Sequence, residues 1–171
     1  KPLHALAALT EGVVKPETSI FSSGALEVPN PFNPSNPSIF KDWRAHGWVN
    51  ARTALARSSN VYFYEIGGGF QSQPGLGIKR LKEWWEKFRL DSPTGIDLPG
   101  ENMGFLPDPV WKEKASGRKW LLGDTYNVSI GQGDFLITPL ELLSYISTIA
   151  NGGTIYRPYL MSAVLGENGK V

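Results

Sequence analysis

The chain has 171 residues, 41% of them apolar and 19% charged, which is long and apolar enough to bury a core and excludes a disordered tail. Lysine plus arginine (17) nearly balances aspartate plus glutamate (16), with no long run of one sign, which argues against a nucleic-acid binder; the lack of cysteine excludes disulfides and thiolate metal sites. Glycine (19) and proline (13) are abundant, so long ordered loops are expected between the regular elements of what reads as one domain, and no apolar run reaches spanning length.

The chain opens on Lys1 with no initiator methionine and reads as an excerpt of a longer protein. Lys1 to Glu11, rich in Ala and Leu and stopped by Gly12, reads as a helix that begins upstream and is apolar on most sides, as in a central buried helix. Its lone His4 reads as a satisfied packing residue rather than a ligand. Five prolines between Val13 and Phe40 predict loop or short edge strand, with a flexible excursion from Pro29 to Ser38. Lys41 to Trp48 is expected to be a solvated helical turn, on which Asp42 and His46, four apart, share a face. Two such residues do not make a metal site.

Asn50 to Arg57 predicts a short helix, with Asn50 as its N-cap and Leu55 turned inward. Next comes Ser58-Ser59-Asn60, two hydroxyls and an amide directly ahead of the aromatic run Val61-Tyr62-Phe63-Tyr64. If Val61 to Ile66 is buried, its bulky side chains lock Ser58 and Asn60 in place, as a catalytic group requires. Taken alone, the tripeptide is better read as a helix cap than as a catalytic motif, because SxN arises often by chance. Gly67, Gly68 and Gly69 are expected to end that segment as a turn, since no Lys/Ser follows at phosphate-loop spacing.

Ile78, Leu81, Trp85 and Phe88 define an amphipathic helix from Ile78 to Leu90, with Lys79/Glu83, Lys82/Glu86 and Glu83/Lys87 as i,i+4 pairs. Asp91 to Asp108 reads as turns with one or two short strands. Tyr126 to Phe135 is expected to be a polar, glycine-rich loop, and Gly131-x-Gly133 lacks the third glycine of a dinucleotide fingerprint. Thr138, Pro139 and Glu141 carry the signature of a helix start; Leu142, Leu143, Ile146 and Ile149 follow at helical spacing, and Asn151-Gly152-Gly153 ends the helix. Thr154 to Leu165 is rich in β-formers and predicts the start of a sheet, with a hairpin turn at Gly166 to Gly169.

The chain contains no HExxH and no GxSxG, and two histidines far apart disfavour a Ser/His/Asp triad. Serine chemistry with a lysine base remains, in which a desolvated lysine takes the proton of a serine one helical turn away. KPLHALAALTEGV resembles the residues that follow the nucleophile in the SxxK helix of penicillin-binding proteins, and Ser58-Ser59-Asn60 before VYFY resembles their SxN motif. TGIDLPGE (Thr94 to Glu101) and GDTYNVSIGQGDFLITPLELL (Gly123 to Leu143) resemble further segments of the same family, in the same order. KDWRAHGW and WLLGDT are most similar to class B enzymes, above all the elongation-type group known as penicillin-binding protein 2.

The resemblance implies an α/β fold of the serine β-lactamase/DD-transpeptidase type. Residues 1–171 would be the central, mostly helical part of a transpeptidase domain, starting at the SxxK lysine and ending before the K(S/T)G strand, with its antiparallel sheet incomplete. By this resemblance Lys1 is the general base, Ser58 relays a proton to the leaving amine, and Asn60 holds the substrate peptide and the lysine. The nucleophilic serine would lie three positions upstream. Lys114-Ala115-Ser116-Gly117 has one residue too many for K(S/T)G.

The implied substrates are peptidoglycan stem peptides and the implied inhibitors β-lactams. A polytopic glycosyltransferase and other wall-synthesis proteins are the implied partners, at the extracytoplasmic face of the bacterial cytoplasmic membrane. The chain by itself is expected to be inactive and poorly stable. Some elongation-type members hold zinc through Asp, His and Cys between the first two motifs; Asp42 and His46 match part of that set, but without a cysteine no metal or cofactor is expected. The competing readings are a serine β-lactamase or β-lactam sensor, and a non-catalytic scaffold module of the wall-synthesis complex.

Overall fold

In the computed structural model, which describes residues 1–30, 33 and 35–165, the chain divides into two compact units. The larger comprises Lys1–Trp84 and Pro107–Phe135; the smaller comprises Trp85–Leu106 and the described residues from Leu136.

The larger unit is built around α3 (Asn60–Gly68). Its aromatic and β-branched residues have poor intrinsic helix propensity, but burial on all sides outweighs that preference: Val61, Tyr62, Phe63 and Ile66 are essentially inaccessible. α1 (Pro2–Thr10), buried through Leu3, Ala5, Ala7 and Ala8, packs beside α3, as does α6 (Leu122–Ser129). Gly67 and Gly68 belong to the helix rather than to the turn expected there, because α6 comes so close: a Cβ on Gly67 would lie 1.8 Å from Ser129 Oγ. The helix stops at Gly69, where φ is +81°.

Four short strands cover part of α3. β1 (Ile20–Ser22) pairs antiparallel with β4 (Gly47–Val49), in the register Phe21 opposite Trp48, and between them β2 (Ala25–Val28) pairs antiparallel with β3 (Ser38–Lys41). Pro31, Phe32 and Pro34, within the expected Pro29–Ser38 excursion, lie outside the described residues. The solvated helical turn expected at 41–48 does not form. The backbone leaves β3, bends and enters β4, because Asp42 N–H donates to the Gly24 carbonyl (2.9 Å) and His46 N–H to the Ser22 carbonyl (3.0 Å). Spacing alone could not reveal those partners.

α2 (Ala51–Arg57) has the expected Asn50 cap, whose Oδ1 accepts from Thr53 N–H at 3.0 Å. Leu55, however, is 38% exposed; the closely packed inner face is made by Ala51 and Ala54. α4 (Gly77–Lys87) forms with Leu81 and Trp85 buried as predicted but ends three residues short of the expected Leu90, the chain leaving it through Arg89 at φ +57°. Lys82 Nζ donates to Asp108 Oδ2. Asp108 also caps α5 (Pro109–Ser116) by accepting from Trp111 N–H at 2.7 Å, and this helix has no buried residue and so no apolar stripe to betray it. The polar loop expected from Tyr126 is instead the last turn of α6 as far as Ser129, with Tyr126, Val128 and Ser129 buried. Tyr126 packs edge-on against Phe40 (centroids 4.9 Å apart) and donates its hydroxyl to the Gly69 carbonyl at 2.6 Å.

In the smaller unit α7 (Pro139–Ala150) starts with the expected capping box: Thr138 Oγ1 accepts from Glu141 N–H, and Glu141 Oε2 accepts from Thr138 N–H. Glu141 is buried, and its other oxygen accepts from Gly104 N–H at 2.8 Å, next to a bridge between Phe105 and Leu136. Thr94 and Gly95 donate to Glu101, closing the TGIDLPGE turn. The strand expected over Thr154–Leu165 is not formed. The Leu160 and Met161 N–H groups donate to the Asp97 carboxylate instead of to a neighbouring strand. The turn expected at 166–169 lies outside the described residues. Among the described residues no helix is long and apolar enough to cross a membrane.

Candidate active site

Lys1 caps the N-terminus of α1, and the chain between α2 and α3 crosses its side chain. That crossing is a one-residue reversal: Ser58, which ends α2, sits in the left-handed region at φ 53°, ψ 39°, a conformation few non-glycine residues adopt. Ser59 is extended and caps α3, and Asn60 is the first helical residue. The helix-cap reading of the tripeptide therefore holds for Ser59, while Ser58 and Asn60 both turn their polar atoms toward Lys1.

Lys1 Nζ donates to the Ser58 carbonyl at 2.8 Å, to Ser58 Oγ at 3.0 Å and to Asn60 Oδ1 at 2.6 Å. Three acceptors satisfy the three protons of an ammonium group. The Phe63 ring centroid lies 5.7 Å from the same nitrogen. Burial holds the Lys1 pKa below the ordinary lysine value, and the negative charge of Asp42 partly restores it. Once deprotonated, the amine keeps two donors and gains a lone pair 3.0 Å from a hydroxyl, the arrangement a general base needs.

The residue that fixes this geometry was not singled out for that role by sequence reasoning. Asp42 Oδ2 accepts from Asn60 N–H (2.7 Å), Ser59 Oγ (2.8 Å), Val61 N–H (3.0 Å) and Ser22 Oγ (3.2 Å), and Oδ1 from Trp43 N–H (2.9 Å). It thus satisfies the orphan donors of the α3 N-terminus and favours its dipole. Burial works against the charge on Asp42, but the hydrogen bonds from Asn60, Val61, Ser59 and Trp43 override it and hold the pKa below the usual carboxylate value. Asn60 Nδ2 donates to the Lys41 carbonyl at 3.3 Å, so the strand that delivers Asp42 also orients the amide. A sequence signal existed: the N-terminus of so buried a helix needs more acceptors than Ser59 can supply.

Asp42 and His46 are adjacent, with Nε2 3.5 Å from Oδ1 and both side chains inaccessible. Their donor set does not fit zinc. Asp42 is saturated by the five donors above, and among the described residues no third His, Cys, Asp or Glu completes a site of the kind a tetrahedral ion requires. The His46 ring packs edge-on to Trp43, 5.1 Å between centroids, and among the described residues neither ring nitrogen has a hydrogen-bond partner. His4 is buried in α1 with Nδ1 2.7 Å from the Ser129 carbonyl, a packing role. Lys114 to Gly117 form the exposed end of α5, away from Lys1 in both sequence and burial.

A model of the penicillin binding protein transpeptidase domain matches residues 1–170. The chain is 36% identical over 168 residues to the peptidoglycan D,D-transpeptidase MrdA of Haemophilus influenzae, covering 97% of this chain and 24% of that protein. The fold superposes on Pseudomonas aeruginosa PBP2, solved in complex with WCK 5153, with a TM-score of 0.82 at 32% identity, over 95% of this chain and 35% of that one. It also superposes on Helicobacter pylori PBP2 from a complex with MreC, with a TM-score of 0.79 at 30% identity, over 99% of this chain and 29% of that one. The chain thus spans about a quarter of the length of the curated relative it matches.

Proposed function

Because the chain belongs to the penicillin-binding protein transpeptidase domain family, we propose that the whole protein is a serine-type peptidoglycan D,D-transpeptidase, and that residues 1–171 form the central part of its transpeptidase domain. Lys1 acts as general base toward a serine one helical turn ahead of it. That serine attacks the terminal D-Ala-D-Ala carbonyl of a stem peptide, forms an acyl-serine ester and releases D-Ala. Ser58 passes the proton from Lys1 to the leaving amine, and Asn60 holds Lys1 through Oδ1 and the substrate peptide through its amide. A neighbouring stem's amine then takes the acyl group. β-Lactams acylate the same serine. The setting is the extracytoplasmic face of the bacterial cytoplasmic membrane, alongside a polytopic glycosyltransferase.

The observation that carries this reading is one amine, its pKa lowered by burial, held 3.0 Å from Ser58 Oγ and 2.6 Å from Asn60 Oδ1 by a strained turn. A chance helix cap gives no reason for the lysine. The test is labelling of the whole protein by a fluorescent penicillin, read as an adduct that survives denaturation. Lys1→Ala should slow labelling by about 10²–10⁴-fold. An unchanged rate would remove Lys1 from the mechanism. Crosslinking of a pentapeptide-bearing glycan distinguishes transpeptidation from β-lactamase activity, in which the adduct turns over, and from a scaffold, which forms none.

A further inference from the structure

Glu65 is the one charged residue inside α3, and the mechanism above does not use it. Its side chain belongs to a residue only 9% exposed, and among the described residues no donor or cation reaches the carboxylate. Burial pushes its pKa up to about 7. An unpartnered buried carboxylate is costly, and the arrangement around it indicates what would relieve that cost.

Glu65 lines a cavity of about 380 Å³ within the larger unit. One wall is the cross-strand pair Phe21 and Trp48, held opposite each other by the β1–β4 register, with ring centroids 5.3 Å apart and exposures of 54% and 70%. The other is the tight turn Phe70–Gln73, closed by paired backbone hydrogen bonds and carrying Gln71 at φ +50°. Gln73 Nε2 is committed to the Val13 and Pro74 carbonyls, which leaves its amide oxygen rather than its N–H groups for a ligand. No lysine, arginine or histidine lines the cavity. The lining therefore offers aromatic rings, the neutral polar groups of Ser19, Gln71, Ser72 and Gln73, and a single charged group, the Glu65 carboxylate. A single carboxylate is too few oxygen ligands for calcium or magnesium, whereas ring faces beside a desolvated anion suit an organic cation.

We infer that the cavity between the β1–β4 pair and the 70–73 turn binds an organic ammonium ion, with Glu65 as its charge partner and Phe21 and Trp48 as its aromatic wall. This site goes beyond the transpeptidase reading and does not depend on it.

The test is calorimetric titration of the whole protein with choline chloride as the probe, against its uncharged carbon isostere 3,3-dimethylbutan-1-ol. Saturable choline binding is expected, weakened about tenfold or more in Glu65→Gln and again in Trp48→Ala, with the isostere binding at least about tenfold more weakly than choline. Equal choline affinity in wild type and Glu65→Gln, equal affinity for the isostere, or no saturable binding of choline would each overturn the inference. Trp48 is solvent-exposed, so Trp48→Ala carries the test if Glu65→Gln disturbs folding. Penicillin labelling, which reads the Lys1 site, should be the same in wild type and Glu65→Gln, so a failure of the catalytic reading is visible separately.

Discussion

A single carboxylate organises the proposed catalytic groups without touching the substrate. Asp42 joins the β3–β4 bend to the first turn of α3 through hydrogen bonds to Ser59, Asn60 and Val61, so the positions of Ser58 and Asn60 relative to Lys1 depend on its charge. Asp42→Asn replaces one acceptor oxygen with an N–H₂ donor facing donors, and should cost on the order of 3 kcal/mol of stability. It should also move the acid limb of the penicillin acylation profile to lower pH. Asp42 raises the Lys1 pKa, so removing its charge lets the amine lose its proton earlier. A purely structural role would lower the rate without moving that limb. Glu65 offers a second titration. Its folded pKa of about 7 lies above the ordinary carboxylate value of 4.5, so between those pH values the folded state holds more protons than the unfolded state. Its contribution to stability is then greatest in acid, falls as the pH rises through that window and is lost above about pH 7. E65Q removes the titration, so relative to wild type it should gain about 1–2 kcal/mol at pH 8, less than the full shift because solvent in the cavity screens the carboxylate, and almost nothing at pH 4, measured by urea unfolding. A difference independent of pH would mean that folding leaves the carboxylate's pKa unshifted.

At the scale of elements, the α3–α6 contact sets how closely the aromatic core can pack. Gly67→Ala would drive a Cβ into Ser129, 1.8 Å from Oγ and 2.5 Å from Cβ, and overpacking of this kind should cost about 1–3 kcal/mol. Ser129→Gly in the same chain should restore most of the loss, whereas independent sites would simply add. This contact also shows what could be read in advance. α7 was legible because its start is local chemistry, Thr138, Pro139 and Glu141 within four residues, followed by a regular stripe. α6 was not: Tyr-Asn-Val-Ser-Ile-Gly-Gln-Gly looks polar until α3 buries Tyr126, Val128 and Ser129. The 41–48 stretch failed for a related reason. A four-residue Asp/His spacing fits a helix as well as a bend, and pairing with Ser22 and Gly24, about twenty residues earlier, decides between them. Lys1, Ser58 and Asn60 were legible through the order of motifs they share with a family. Asp42 as their anchor was not, since its partners lie seventeen to nineteen residues further on.

At the scale of the molecule, burial is unevenly distributed. The larger unit encloses Tyr62, Phe63, Ile66, Leu81 and Tyr126 almost completely. In the smaller unit α7 buries Glu141, Tyr145 and Thr148, while the stripe of Leu142, Leu143, Ile146 and Ile149, apolar at helical spacing, is between 38% and 61% exposed. A helix held by a capping carboxylate and a few contacts, with its apolar face in water, has little to raise its local unfolding free energy. The 171-residue chain by itself should therefore lose its structure in stages. Heating should abolish the far-UV signal of the smaller unit's helix before the near-UV signal of the α3 core, and a dye that binds apolar surface should fluoresce in its presence below the first transition. Coincident far- and near-UV transitions, with a calorimetric enthalpy equal to the van't Hoff value, would show instead that the two units unfold together and that the exposed stripe does not govern stability.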